Sequence, residues 1–209
     1  MKTLRLLCLL IFIVSCNKHD FNALNTIFPD KTGDQWIYKF TNGNSGSGQF
    51  IYVDIVGSGT LPDGRTAMIW NTSLHDSLKN IIPIRSEFVV ANNEEIIFYD
   101  APCQGCQDPL VVERRRYKFP LHVKSEWFTS SVFGDTTKVL SEEPVTVPAG
   151  TFPNTFLLSR KIGYVTNSYT NDSIWLTPGT GMTRFYQNEF ILGLLPGDGV
   201  WELDSYTIK

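Results

Sequence analysis

The chain is poor in the residues that carry chemistry. It has three histidines and four cysteines in 209 residues, and no G-x-S-x-G, phosphate-binding glycine loop, EF-hand or H-E-x-x-H pattern. His19, His75 and His122 are isolated from one another, so a structural zinc site, which wants two close pairs of ligands, has no source. No metal, cofactor or catalytic residue is expected. A hydrolase would need His75 or His122 to meet a distant nucleophile, and "HDS" at 75–77 cannot supply one, because chain neighbours do not converge as a triad does. Positive charge is scarce too, with 18 Lys and Arg against 21 Asp and Glu. The one basic run, "ERRRYK" at 113–118, reads as a strand with alternate members on opposite sides and hence as solvated surface. Nucleic acid is excluded as a partner. The longest apolar run is Leu6–Val14, less than half of the roughly 20 residues a membrane-crossing helix takes.

That run explains itself. Lys2 and Arg5 precede it and Ser15 and Cys16 follow it, the layout of a secretory signal peptide. The ending "IVSC" resembles the lipobox of bacterial lipoproteins. The resemblance implies cleavage between Ser15 and Cys16, diacylglycerol on the Cys16 thiol and acylation of the new amino terminus. Each buried methylene contributes about 0.8 kcal/mol and two chains already anchor stably, so the expected partner is a membrane. Asn17 stands where an aspartate would resemble the enterobacterial inner-membrane retention signal, which favours the outer membrane of the cell envelope. The face of that membrane stays open.

Processing leaves residues 16–209, enough for one domain with a real core. Residues 1–15 form the signal, 16–26 a lipidated tether and 27–209 a single β-rich domain. Cys8 leaves with the signal and lipid takes Cys16, so Cys103 and Cys106 remain, in a compartment where disulfides persist. A redox-active C-x-x-C opens a helix, whereas "QDPLVVERRRYKFPL" follows Cys106 and favours a strand. A local disulfide is the expected form, with free thiols as the alternative.

The body reads as short strands divided by glycine, proline and asparagine. About eleven are expected, most of them adjacent in sequence and antiparallel. Trp36, Tyr38 and Phe40 fall on one face of the first, and Trp201 and Leu203 on one face of the last. Two short helices are also predicted: one around Phe21, Leu24 and Phe28 after Asp20, and one over 73–82, where Leu74, Leu78, Ile81 and Ile82 share a helical face before Pro83. No strand–helix alternation occurs, which excludes parallel α/β folds. The expected fold is mainly β: a curved antiparallel sheet, as an open or half barrel or a sandwich, with one or two short helices.

Three stretches, "FPDKTGDQWIY", "PVTVPAGTFPNTFLLSR" and "IWLTPGTGMTRFY", are similar to the "FPxxxGxxW" opening, "VPAGTF" turn and late "PGxGM" hairpin of uncharacterised Bacteroidetes-type envelope lipoproteins. Thr180 replaces the usual aliphatic residue between Gly179 and Gly181. The resemblance implies a β-rich envelope fold and no established chemistry. "DSL" at 76–78, "DTT" at 135–137 and "DSI" at 172–174 resemble the O-glycosylation sequon of that phylum, which would modify Ser77, Thr136 and Ser173. The five tryptophans either fill the concavity of the sheet or line an apolar cavity. The first alternative suits a non-catalytic binding or structural module that meets another envelope protein. The second suits a half-barrel carrier of lipid or another apolar ligand.

Overall fold

The computed structural model describes residues 28–42, 48–100, 113–130, 135–163, 169–187 and 199–209. They form one sheet of twelve antiparallel strands: β1 (Gln35–Asn42), β2 (Phe50–Thr60), β3 (Thr66–His75), β4 (Ile81–Ala91), β5 (Glu95–Asp100), β6 (Glu113–Lys118), β7 (Glu126–Ser130), β8 (Asp135–Val147), β9 (Gly150–Gly163), β10 (Tyr169–Thr177), β11 (Gly181–Gln187) and β12 (Gly199–Thr207). The spatial order is β6-β5-β4-β3-β2-β1-β12-β11-β10-β9-β8-β7. Two six-stranded meanders are therefore joined through their first and last strands, Trp36 lying opposite Tyr206 and Phe40 opposite Trp201.

The sheet curls until its two edges, β6 and β7, face each other. The Trp127 indole of β7 donates to the Arg116 carbonyl of β6 at 2.8 Å, so a side chain closes the seam where no ladder does. The result is a nearly closed barrel.

Period-two alternation sets what goes inside. Trp36, Tyr38 and Phe40 of β1, Ile51, Val53 and Ile55 of β2 and Trp201 and Leu203 of β12 all point inward and are buried. Rings stack across the interior: Trp36 on Trp70 at 5.0 Å, Phe28 on Trp70 at 5.4 Å, and Phe98 edge-on to Trp70 at 5.6 Å. The predicted burial of tryptophan holds for Trp36, Trp70, Trp127 and Trp201.

Up-and-down winding gives the barrel two unlike ends. The turns after β2, β4, β6, β8 and β10 share one end with the start of β1, and this end forms a floor. The three motifs that resemble envelope lipoproteins all lie there. Asp34 of "FPDKTGDQWIY" accepts from the amides of Lys31 and Lys209, at 2.9 and 2.8 Å. Beyond Glu202, β12 is no longer paired with β11, and the "VPAGTF" turn takes the vacated edge, the Ala149 amide donating to the Leu203 carbonyl at 3.0 Å. In the "TPGTG" turn the Thr180 carbonyl accepts the Trp36 indole at 2.6 Å. Gly181, at φ +100, lies against that indole, where a β-carbon would come within 3.2 Å of Nε1.

Among the described residues there is no helix. Of the helix predicted around Phe21, Leu24 and Phe28, only Phe28 is described, and it packs on Trp70. The segment 73–82 is a hairpin instead: β3 runs to His75, a turn follows, and β4 begins at Ile81. Turn chemistry overrides the apolar periodicity here. Asp76 accepts from the amides of Leu78 and Asn80 and from the Asn80 side chain, at 2.8–2.9 Å, and Lys79 adopts φ 65. Leu78 is 79% exposed and Ile81 64%; neither has anything to pack on. Pro83 fits within β4 because the ladder slips between Thr72 and Ser73 at that level. On a packed helix Leu74 and Leu78 would cost similar amounts to truncate. In the hairpin, Leu74→Ala should destabilise by about 2–5 kcal/mol and Leu78→Ala by less than about 0.5 kcal/mol, as read by urea denaturation of the two variants.

Candidate functional site

The polar chemistry of the barrel is inside it. Arg85 and Glu87 of β4, Arg115 of β6, Arg160 of β9 and Asp172 of β10 occupy inward-facing positions, in phase with Val89, Tyr117, Leu158 and Ile174. Glu87 is the hub. Its carboxylate accepts from one Arg115 terminal nitrogen at 2.9 and 2.8 Å and meets Arg85 Nε at 3.1 Å. Arg160 pairs with Asp172. The Arg115 guanidinium lies 4.4 Å from the centroid of the Phe98 ring, so a cation–π contact joins the charged group to the aromatic stack below.

Arg85, Arg115, Arg160 and Asp172 line a cavity with about 70 Å³ of free volume, together with Tyr38, Thr72, Tyr117 and Tyr186, and Glu87 holds two of these guanidiniums from beside it. The Tyr38 hydroxyl donates to the Met182 carbonyl at 3.0 Å, and burial, then Tyr117, pushes its pKa above the ordinary phenol value. The Glu87 side chain is 5% exposed. Burial alone would raise its carboxyl, but Arg115 and Arg85 outweigh that and hold it below the usual carboxylate range. The Arg85 side chain keeps 37% of its surface open, so it marks where solvent reaches the cavity. Partial burial, followed by repulsion from Arg115, pulls its guanidinium down to about 10, and it stays a cation at neutral pH.

One sequence expectation is corrected here. "ERRRYK" is not all solvated surface: Arg114 is exposed, but the Arg115 side chain is only 12% exposed and points into the barrel. The signal was present as parity. "RSEFVV", "RRYK", "LSRK" and "NDSIWL" each place a charge in phase with an apolar inward position.

The residues singled out from sequence do not converge. His75 lies on the outer face, stacked on Tyr52 at 3.8 Å, with Nε2 3.1 Å from the Ser73 hydroxyl. The two rings belong to neighbouring strands, β2 and β3, and among the described residues no carboxylate orients the His75 ring. His122 is exposed in the connection from β6 to β7. Ser77 is exposed at the tip of the β3–β4 hairpin, whereas Thr136 and Ser173 are half-buried within ladders. Their aspartates are already engaged, Asp76 in its turn and Asp172 on Arg160. Ser15, Cys16, Cys103 and Cys106 lie outside the described residues.

The network makes stability depend on acid. The Glu87 carboxyl is more acidic in the folded chain than in the unfolded one, so the unfolded chain takes up the proton first. Its contribution is complete above about pH 5 and is lost as pH falls below the unfolded value near 4.3. Glu87→Gln should cost about 3–5 kcal/mol at neutral pH, because it leaves buried cations short of a partner. It should also flatten the acid limb of a plot of unfolding free energy against pH.

No protein-family model and no curated protein matches the chain. Two solved structures resemble it. One, from Bacteroides fragilis, is described as an exported protein with a YmcC-like fold; it matches 87% of this chain and 99% of its own, with a TM-score of 0.51 at 12% identity. The other, from Parabacteroides distasonis, is described as a lipoprotein and matches 87% and 98%, with a TM-score of 0.49 at 12% identity. The first likeness establishes the architecture: this barrel has a YmcC-like fold.

Proposed function

We propose that the chain is a lipid-anchored, non-catalytic binding or structural module of the cell envelope, held at the outer membrane through Cys16, and that its barrel is a filled scaffold rather than a lipid carrier. The carrying observation is the filled interior. Among the described residues the interior cavity has about 70 Å³ of free volume, against about 300–1,000 Å³ for sites that enclose ligands of ordinary size. A larger depression of about 460 Å³ lies outside the floor, where Thr32, Asp34, Gln35, Asp54 and Thr207 line it. It is open to solvent rather than enclosed, and Gly33, Ile55 and Val56 complete its lining. Export is supported by the signal and lipobox of residues 1–16 and by the description of the Bacteroides fragilis protein that shares the fold. A Cys103–Cys106 clip would suit the same oxidising compartment.

Metabolic labelling with palmitate should mark the wild-type chain, and Cys16→Ser should lose both the label and membrane fractionation. Native mass spectrometry of the purified chain should give the mass of residues 16–209 with three acyl groups and no further lipid. A stoichiometric phospholipid in that spectrum would instead favour the carrier. Added hexose would report glycosylation, and the exposed Ser77 is the acceptor it should appear on first.

A further inference from the structure

Among the described residues lining the cavity or bonded to its wall, guanidiniums outnumber carboxylates. Among the described residues lining or bonding within it are three guanidiniums, Arg85, Arg115 and Arg160, and two carboxylates, Glu87 and Asp172. Asp172 is engaged with Arg160, and Glu87 is shared between Arg115 and Arg85. One carboxylate thus serves two guanidiniums that carry about ten N–H donors between them. A cation left in excess in a partly desolvated site favours an anion beside it, and guanidiniums bind oxyanions best because two parallel N–H groups match two oxygens. Burial first, then repulsion from Arg115, lowers the pKa of Arg85, and Glu87 offsets part of that.

Shape narrows the ligand further. About 70 Å³ holds on the order of five waters at about 10–15 Å³ each, or one small polyatomic group. The apolar side of the lining, Ile51, Val53, Ile84 and Ile174, offers no place for a second charge. The position gives a direction of approach. Arg85, Arg115, Arg160 and Asp172 lie in the halves of β4, β6, β9 and β10 remote from the floor, and Arg85 is the member open to solvent.

We propose that this cavity binds a single oxyanion group, a carboxylate or a phosphate, with Arg85 and Arg115 as its donors. The group is either free or the head of a larger molecule whose remainder stays outside the mouth. The inference goes beyond the anchored-module reading and stands whether or not Cys16 is acylated.

The test is a titration of the purified full chain with inorganic phosphate, acetate and short-chain dihexanoyl phosphatidate, each against sodium chloride at matched ionic strength. The readout is the arginine side-chain NMR signals. Phosphate or acetate should shift the Arg85 and Arg115 Nε–H resonances saturably, and chloride should not. Arg85→Gln should weaken binding about tenfold or more, as expected for the loss of a charge-assisted contact, while Arg114→Gln on the exterior should bind as the wild type does. Phosphatidate binding no tighter than phosphate identifies a free anion as the ligand, and tighter binding identifies the head of an amphiphile; both support the site. Overturning results are an unsaturable response equal to that of chloride, or an Arg85→Gln variant that binds like wild type. Should Arg85→Gln fail to fold, the resonance shifts in the wild-type chain alone decide the question.

Discussion

The architecture depends on the ladder between β1 and β12. Every other pairing in the order of strands joins neighbours in sequence, which a hairpin forms at low cost in chain entropy. Pairing Gln35–Asn42 with Gly199–Thr207 brings together segments separated by most of the chain. It fuses two meanders that would each expose two edges into one sheet, whose remaining edges then meet at β6 and β7. Trp36, Tyr38 and Phe40 on one side of this ladder and Trp201 and Leu203 on the other are among the most deeply buried side chains, so the joint is also the centre of the core. The floor motifs brace the same joint: Thr180 holds the Trp36 indole, Ala149 takes the free edge at Leu203, and Asp34 ties the last residue back to the first strand.

Once the sheet has curled, its interior divides by level. Near the floor the rings of Phe28, Trp36, Trp70 and Phe98 pack on one another. Farther up, charges replace them. A buried ionic network is a weak source of stability, because desolvating each member costs several kcal/mol and hydrophobic replacements are often as stable. Its place in the wall of the described interior cavity, rather than any packing gain, is the ground for the proposed anion site. Arg115 spans both levels through Glu87 and Phe98, so removing it would disturb the core as well as the cavity.

Much of this was legible from residues alone, and the pattern of success follows the physics. Strand alternation in "WIYKF" and "VWELD" is a local signal that survives in the structure, and the glycine-containing turns of the floor are set by backbone conformations that few residues adopt. The hairpin at 73–82 reads as a helix from sequence because Leu74, Leu78, Ile81 and Ile82 repeat with helical spacing; the hydrogen bonds of Asp76 decide against it. The charged cavity was harder to see for a different reason. Its members come from β4, β6, β9 and β10, at positions 85 to 172, and their convergence is a property of barrel closure. Parity hinted that each was inward, but a lone inward arginine in a strand reads equally well as an edge residue or a solvated one.

Closure also fixes a polarity between the anchor and the cavity. Phe28 sits at the floor beside Trp36, so the chain enters the barrel from the end opposite the arginines. Phe28 lies twelve positions after Cys16, a span of at most about 40 Å when fully extended. With lipid on Cys16, as proposed, the anchor would join the barrel on its floor side, at the end remote from Arg85. A head group still embedded in that leaflet would have to leave the bilayer and pass around the barrel to reach the cavity. An anion carried on a partner, or on a molecule already outside the membrane, would approach the mouth directly. For the proposed anchored module, an anion held outside its own membrane therefore fits the cavity better than lipid drawn from it.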